Sequence, residues 1–161
     1  MELLHKAISL RENGNYEEAR QLLLSLYDQD NGDPYISYQC AWVHDLLGLE
    51  KEAIPFYKNA LKQGLAGQER RGALLGLGST YRTIGEYHKS KTVFEQGMQE
   101  FPTANEFPVF YAMTLHNLGN DRKALEILLH KLVELTVDEG IQRYKKAIAF
   151  YADKLDEVWD E

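Results

Sequence analysis

Four glycines constrain this chain more than anything else in it. Gly14, Gly48, Gly85 and Gly119 lie in the contexts NGN, LGL, IGE and LGN, and each is followed five positions later by a small residue: Ala19, Ala53, Ser90 and Ala124. The separations between the glycines are 34, 37 and 34 residues. Glycine breaks a helix, so each glycine divides one pair of helices. A fixed period of this size marks an array of stacked units, here with three residues inserted between the second and the third.

Residues 73 to 102, ALLGLGSTYRTIGEYHKSKTVFEQGMQEFP, print one unit in almost unbroken form. Leu74, Leu77, Gly78 and Tyr81 follow the spacing apolar-x2-Leu-Gly-x2-Tyr, Ser90 and Phe94 stand in small-x3-aromatic spacing, and Pro102 closes the unit. This pattern resembles the tetratricopeptide repeat (TPR) family. The resemblance implies an all-α fold: a right-handed superhelix of four helix-turn-helix units plus a C-terminal capping helix, nine helices in all. Residues 1–161 then form a single domain, with units at about 1–33, 34–66, 67–103 and 104–137 and the capping helix at about 138–159.

Unit one departs from the pattern, with Lys6 and Ala7 where Leu and Gly are usual and Leu10 in place of the tyrosine. Terminal units are commonly atypical because they cap the stack. Unit two opens at Asp33-Pro34, a good N-cap followed by a residue preorganised for the first helical position. Pro55 falls near the start of its second helix, where it costs at most one hydrogen bond. The connector QGLAGQ before unit three takes the three extra residues as a longer loop or an extended helix. In unit four, Pro108 sits in the first turn of one helix and Asn120-Asp121 starts the next.

Beyond residue 137, Ile141, Ile148 and Leu155 repeat every seven positions, with Tyr144, Tyr151 and Val158 repeating between them. That spacing predicts one amphipathic helix of about five turns. Such a helix covers the apolar face of Leu125, Leu128 and Leu132 that the last pair leaves open. Phe150 and Trp159 fall off the main stripe and stand alternatively for a dimer or partner contact.

Charge excludes one class of partner. The formal net charge is -7, with 3 basic against 7 acidic residues over 1–33, 4 against 7 over 138–161, and a neutral middle. Nucleic-acid binding needs a basic stripe, and none is present. The lone Cys40 and an N-terminus without an apolar run behind a basic start point to a reducing, cytoplasmic address. No apolar run approaches the length of a membrane span.

In TPR proteins the first helices of successive units line a concave groove where ligands lie. Carried over by repeat register, the resemblance implies groove positions at Leu4 and Ile8, then Tyr35, Tyr38, Gln39, Trp42 and Asp45. In unit three they are Gly72, Leu75, Gly76, Ser79 and Arg82, and in unit four Phe110, Met113, His116 and Asn117. The expected peptide-binding set is Tyr35, Tyr38, Trp42, Ser79, Arg82, Phe110, Met113, His116 and Asn117. Tyr38 and Trp42 anchor it, Met113 approaches from the far side, and the glycines and Ser79 between them open a notch. The competing assignment for Tyr38 and Trp42 is plain core. Some TPR proteins hold acidic tails of chaperones with Lys, Asn and Arg on three consecutive first helices. Here those slots hold Leu4, Ile8, Gln39, Gly72 and Gly76, so an apolar or mixed segment fits better.

Cys40 and His44, four apart on one helix face, lack a third ligand for a metal and read as core. LLGLGST lacks the lysine of a phosphate loop, and no nucleophile motif occurs. The expectation is a non-catalytic protein–protein interaction module without metal or cofactor, binding a protein or peptide segment. A self-associating scaffold is the alternative, a homo-oligomer such as a homodimer formed through the groove or the final helix.

Overall fold

The fold is seen in a computed structural model that describes residues 2–159. Ten α-helices and no strand occur among the described residues. They are α1 Glu2–Glu12, α2 Tyr16–Gln29, α3 Pro34–Leu46, α4 Glu50–Lys62, α5 Gly67–Thr83, α6 Tyr87–Glu100, α7 Glu106–Asn117, α8 Asp121–Leu135, α9 Glu139–Arg143 and α10 Lys145–Tyr151. Consecutive helices α1 to α8 pack pairwise along the chain into a superhelix.

Gly14, Gly48, Gly85 and Gly119 all take left-handed φ values, 83, 71, 82 and 77°. The same bond closes each turn: the N–H after the glycine donates to the carbonyl five residues back, Asn15 to Leu10, Leu49 to His44, Glu86 to Tyr81 and Asn120 to Leu115, at 2.8–2.9 Å. This termination satisfies carbonyls the helix leaves open and turns the chain back on itself. The small residues that follow, Ala19, Ala53, Ser90 and Ala124, are all buried. Ser90 also shares a hydrogen bond of 3.0 Å with Thr114 of the next unit.

Asp33 caps α3 as its residue type suggests, accepting from the N–H groups of Tyr35 and Ile36. The insertion before unit three lengthens α5 to 17 residues. Arg70 in the added turn donates to Glu100 at the end of α6, and Arg71 just after it donates to Glu106 in the first turn of α7. The two arginines therefore tie α5 to both α6 and α7.

Along the stack the first helices touch one another, α1 to α3, α3 to α5 and α5 to α7, whereas second helices meet sparsely. Curvature follows: the first helices occupy the inside of the bend. Large side chains cross the seams into space left by glycines. Phe94 lies over Gly78 and Phe107 over Gly97, and a Cβ at either glycine would fall inside the ring's van der Waals envelope.

The expected long capping helix is not formed. The segment breaks at Tyr144, which ends α9 and precedes α10 with φ -102° and ψ 11°. Gln142 folds back and donates to the carbonyls of Val133 and Thr136, capping the end of α8. α10 packs on α8 and ends at Tyr151, and Ala152 is buried behind it. This arrangement leaves Leu125, Leu128 and Leu132 exposed at 46, 38 and 43%, so the cap covers a different face from the one expected. The helix count is ten because the heptad stripe is carried by two short helices and a non-helical tail.

Candidate functional site

A cavity of about 410 Å³ opens on the inner surface where α3, α5 and α7 converge. Trp42 and Leu46 form one wall, Leu75 and Ser79 the opposite one, and Phe110 the far end. Its floor is made by tyrosines. Tyr38 reaches over Gly72 and Tyr57 over Gly76, each hydroxyl occupying the space a Cβ would take. The notch expected at these glycines is therefore filled from within. This also corrects the placement of Tyr38, which is only 8% exposed and belongs to the core, whereas Trp42 is 39% exposed.

Beneath the cavity lies a polar cluster that seals the floor. Tyr57 Oη donates to Asp45 Oδ2 at 2.6 Å, and Thr80 Oγ1 donates to Asp45 Oδ1 at 2.9 Å. Burial pushes the Asp45 carboxyl above the usual carboxylate range, and the two donors pull it partly back. Burial and the neighbouring carboxylate push the Tyr57 phenol upward, so it remains a donor. Tyr57 was not among the expected groove residues, because it belongs to a second helix. The i, i+4 pair of glycines opposite it was the signal that a large side chain enters there.

A second cavity, about 440 Å³, lies toward the C-terminal end. Met113 lines it with Leu125 and Leu128 of α8, so Met113 does not face Trp42 across one notch as expected. Arg82 and His116 stand at its edge. Arg82 Nε donates to Asn117 Oδ1 at 2.7 Å, which pairs two expected ligand-binding residues with each other. His116 Nδ1 lies 2.5 Å from Asp121 Oδ1.

A third and smaller cleft of about 290 Å³ lies on the other side of Trp42 and takes in Tyr35. Arg11 stacks on Trp42, its guanidinium carbon 3.6 Å from the ring centroid, an attraction between cation and π-face. Arg11 is 6% exposed, and burial draws its guanidinium below its ordinary pKa, with Glu12 opposing. It follows Ile8 by three residues and so shares its helix face. The nine expected residues thus fall into three adjoining depressions: Tyr38, Trp42, Ser79 and Phe110 in the first, Arg82, Met113 and His116 with Asn117 beside them in the second, and Tyr35 in the third.

Cys40 and His44 are both buried. His44 Nδ1 donates to the Cys40 carbonyl at 2.6 Å, and its ring lies 4.9 Å from that of Phe56. Burial pushes the Cys40 thiol up to about 12, away from thiolate chemistry. Among the described residues no cluster of three or more His, Cys, Asp or Glu is placed to hold a metal, and no helix is long and apolar enough to cross a membrane.

The sequence matches a tetratrico peptide repeat family model over residues 34–155 and a second tetratricopeptide repeat model over residues 3–30. No curated protein matches. Among solved structures, the chain is similar to a MamA protein at TM-score 0.72 and 14% identity, covering 99% of this chain and 78% of that one. It is similar also to MamA 41-end from Desulfovibrio magneticus RS-1, at TM-score 0.73 and 19% identity over 93% of this chain and 86% of that one. A tetratricopeptide repeat protein from Parabacteroides merdae aligns at TM-score 0.71 and 19% identity, over 94% of this chain and 59% of its own length.

Proposed function

This chain belongs to the tetratricopeptide repeat family, a family of protein–protein interaction scaffolds, and we propose that it binds a peptide segment of a partner along its inner surface, without catalysis. The observation that carries this reading is the cavity between Trp42, Leu75, Ser79 and Phe110. A half-exposed tryptophan beside a preformed apolar depression is the arrangement from which binding hot spots are built. The floor beneath it is fixed by the Tyr57–Asp45–Thr80 hydrogen bonds, so little ordering cost accompanies entry of a ligand side chain. The test is to select a peptide against the full chain from a displayed random library and map it by amide chemical shifts. Shifts centred on Leu75, Ser79 and Phe110 support the reading, and shifts confined to α2, α4 and α6 refute it.

A second reading, self-association, is favoured by one observation: Leu125, Leu128, Leu132 and Leu135 form an exposed stripe on α8. The exposed rings of Phe150, Tyr151 and Trp159 also gather, with centroids 5.2–6.3 Å apart. Sedimentation of wild type and Leu128→Glu decides between them. A dimer lost on substitution supports self-association, and a wild-type monomer at high concentration refutes it.

A further inference from the structure

Among the described residues, two buried side-chain polar atoms lack a hydrogen-bond partner: Arg11 Nε and Gln39 Oε1. Both residues line the same cleft, the 290 Å³ depression beside Trp42. Buried polar atoms are nearly always satisfied, and an exception calls for a reason. One is a donor on a guanidinium and the other an acceptor on an amide. A main-chain peptide unit offers the complement of both, one carbonyl and one N–H.

The cleft's charge narrows the ligand further. Glu12 and Glu69 line it along with Arg11, for a formal charge of -1. Glu12 lies 3.7 Å from Arg11 Nη2 and is largely exposed, so it does not satisfy Nε. The first 33 residues carry 7 acidic against 3 basic side chains, which extends the negative field around the cleft. A free carboxylate would meet two glutamates there, whereas a cationic side chain beside the bound amide would meet favourable charge.

We propose that this cleft is a subsite for a partner's extended segment: Arg11 and Gln39 hold one main-chain amide, Trp42 and Ile8 flank it, and Glu12 and Glu69 receive an adjacent Lys or Arg. The proposal rests on the inner surface being the peptide-binding face and adds the chemistry of the ligand. On this proposal Arg11 serves binding rather than stability. Its Nε has no partner, its ion pair with Glu12 is long and mostly solvated, and an apolar side chain of similar length keeps the packing on Trp42, so replacing the buried charge leaves the fold unharmed or strengthens it.

The experiment titrates the full-length ¹⁵N-labelled chain with three blocked tripeptides, acetyl-Gly-Lys-Gly-amide, its norleucine counterpart and its glutamate counterpart, following the Arg11 Nε–H and Trp42 indole resonances. Expected are saturable shifts with affinity in the order lysine, norleucine, glutamate. Arg11→Met should weaken lysine-peptide binding at least tenfold with an unchanged or raised Tm, and Gln39→Leu should weaken it likewise. Glu69→Gln should narrow the gap between the lysine and norleucine peptides. Three outcomes overturn the proposal: no shift at Arg11 and Trp42 at millimolar peptide, equal affinity for the lysine and glutamate peptides, or Arg11→Met binding like wild type. A fall in both Tm and binding for Arg11→Met also overturns it, by assigning Arg11 a structural part. Shifts confined to Leu75, Ser79 and Phe110 overturn the subsite while leaving the inner surface as the binding face. Shifts confined to α2, α4 and α6 overturn both.

Discussion

Units two and three and the C-terminal end of the stack treat their large apolar side chains in opposite ways. In the middle, three buried rings pass between helices into space left by a glycine: Tyr38 over Gly72, Tyr57 over Gly76, Phe94 over Gly78. At the end, α8 turns Leu125, Leu128, Leu132 and Leu135 outward, and α10 packs on α8 without covering them. A repeat unit cannot bury its own apolar face and relies on the next unit to do so. The exposed stripe is thus the surface that the interior units hide against their neighbours, left uncovered where the array stops.

The largest expected contrast is in stability. Phe94 is fully buried, so Phe94→Ala should cost about 3–5 kcal/mol, whereas Leu128→Ala should change stability by about 0.5 kcal/mol. Urea melts of both variants check this, and equal losses would erase the distinction between middle and end. Next in size is Gly72→Ala, which forces the Tyr38 hydroxyl out of its place and should cost about 1–3 kcal/mol despite adding only a methyl group. If Gly72→Ala melts like wild type, Tyr38 has another place to go and the floor of the cavity is not fixed.

Much of this was legible in the sequence. The four glycines set the turns, and Asp33 and Asn120 cap as their types suggest. Less legible was which side chain would fill the space opposite Gly72 and Gly76. Repeat register assigns a face to Tyr38 but is blind to Tyr57, which reaches across from a different helix of the pair. The C-terminal segment misled because its heptad spacing is a property of the stripe alone. The backbone breaks at Tyr144, two residues after Gln142 bonds back to α8, a tertiary contact that periodicity does not record. Arg11 escaped notice because an arginine near a helix end reads as solvated.

A smaller effect separates the outer surface from the groove floor by pH. Hydrogen bonds from Arg70 hold the Glu100 carboxyl down to about 2. Its contribution is therefore fully present above about 4.5 and is lost as pH falls toward 2; as a half-buried pair it is worth about 0.5–1 kcal/mol. Asp45 has the opposite sign: its carboxyl is raised by burial, so its ionisation opposes folding and that penalty is relieved as pH falls through its folded pKa. Glu100→Gln should melt below wild type at neutral pH, with the gap closing between about 4.5 and 2. A constant gap across that window would show that the Arg70 pair does not set it.

The central claim, that the inner surface around Trp42 binds rather than merely packs, is tested most directly by Trp42→Ala measured two ways on one preparation. Titration calorimetry with the library-selected peptide should show a loss of about 2 kcal/mol or more. The melt should show a cost well below the ~3–5 kcal/mol of an emptied core site, because Trp42 is already 39% exposed. Undiminished peptide affinity together with a collapsed Tm would contradict the account and return Trp42 to the core.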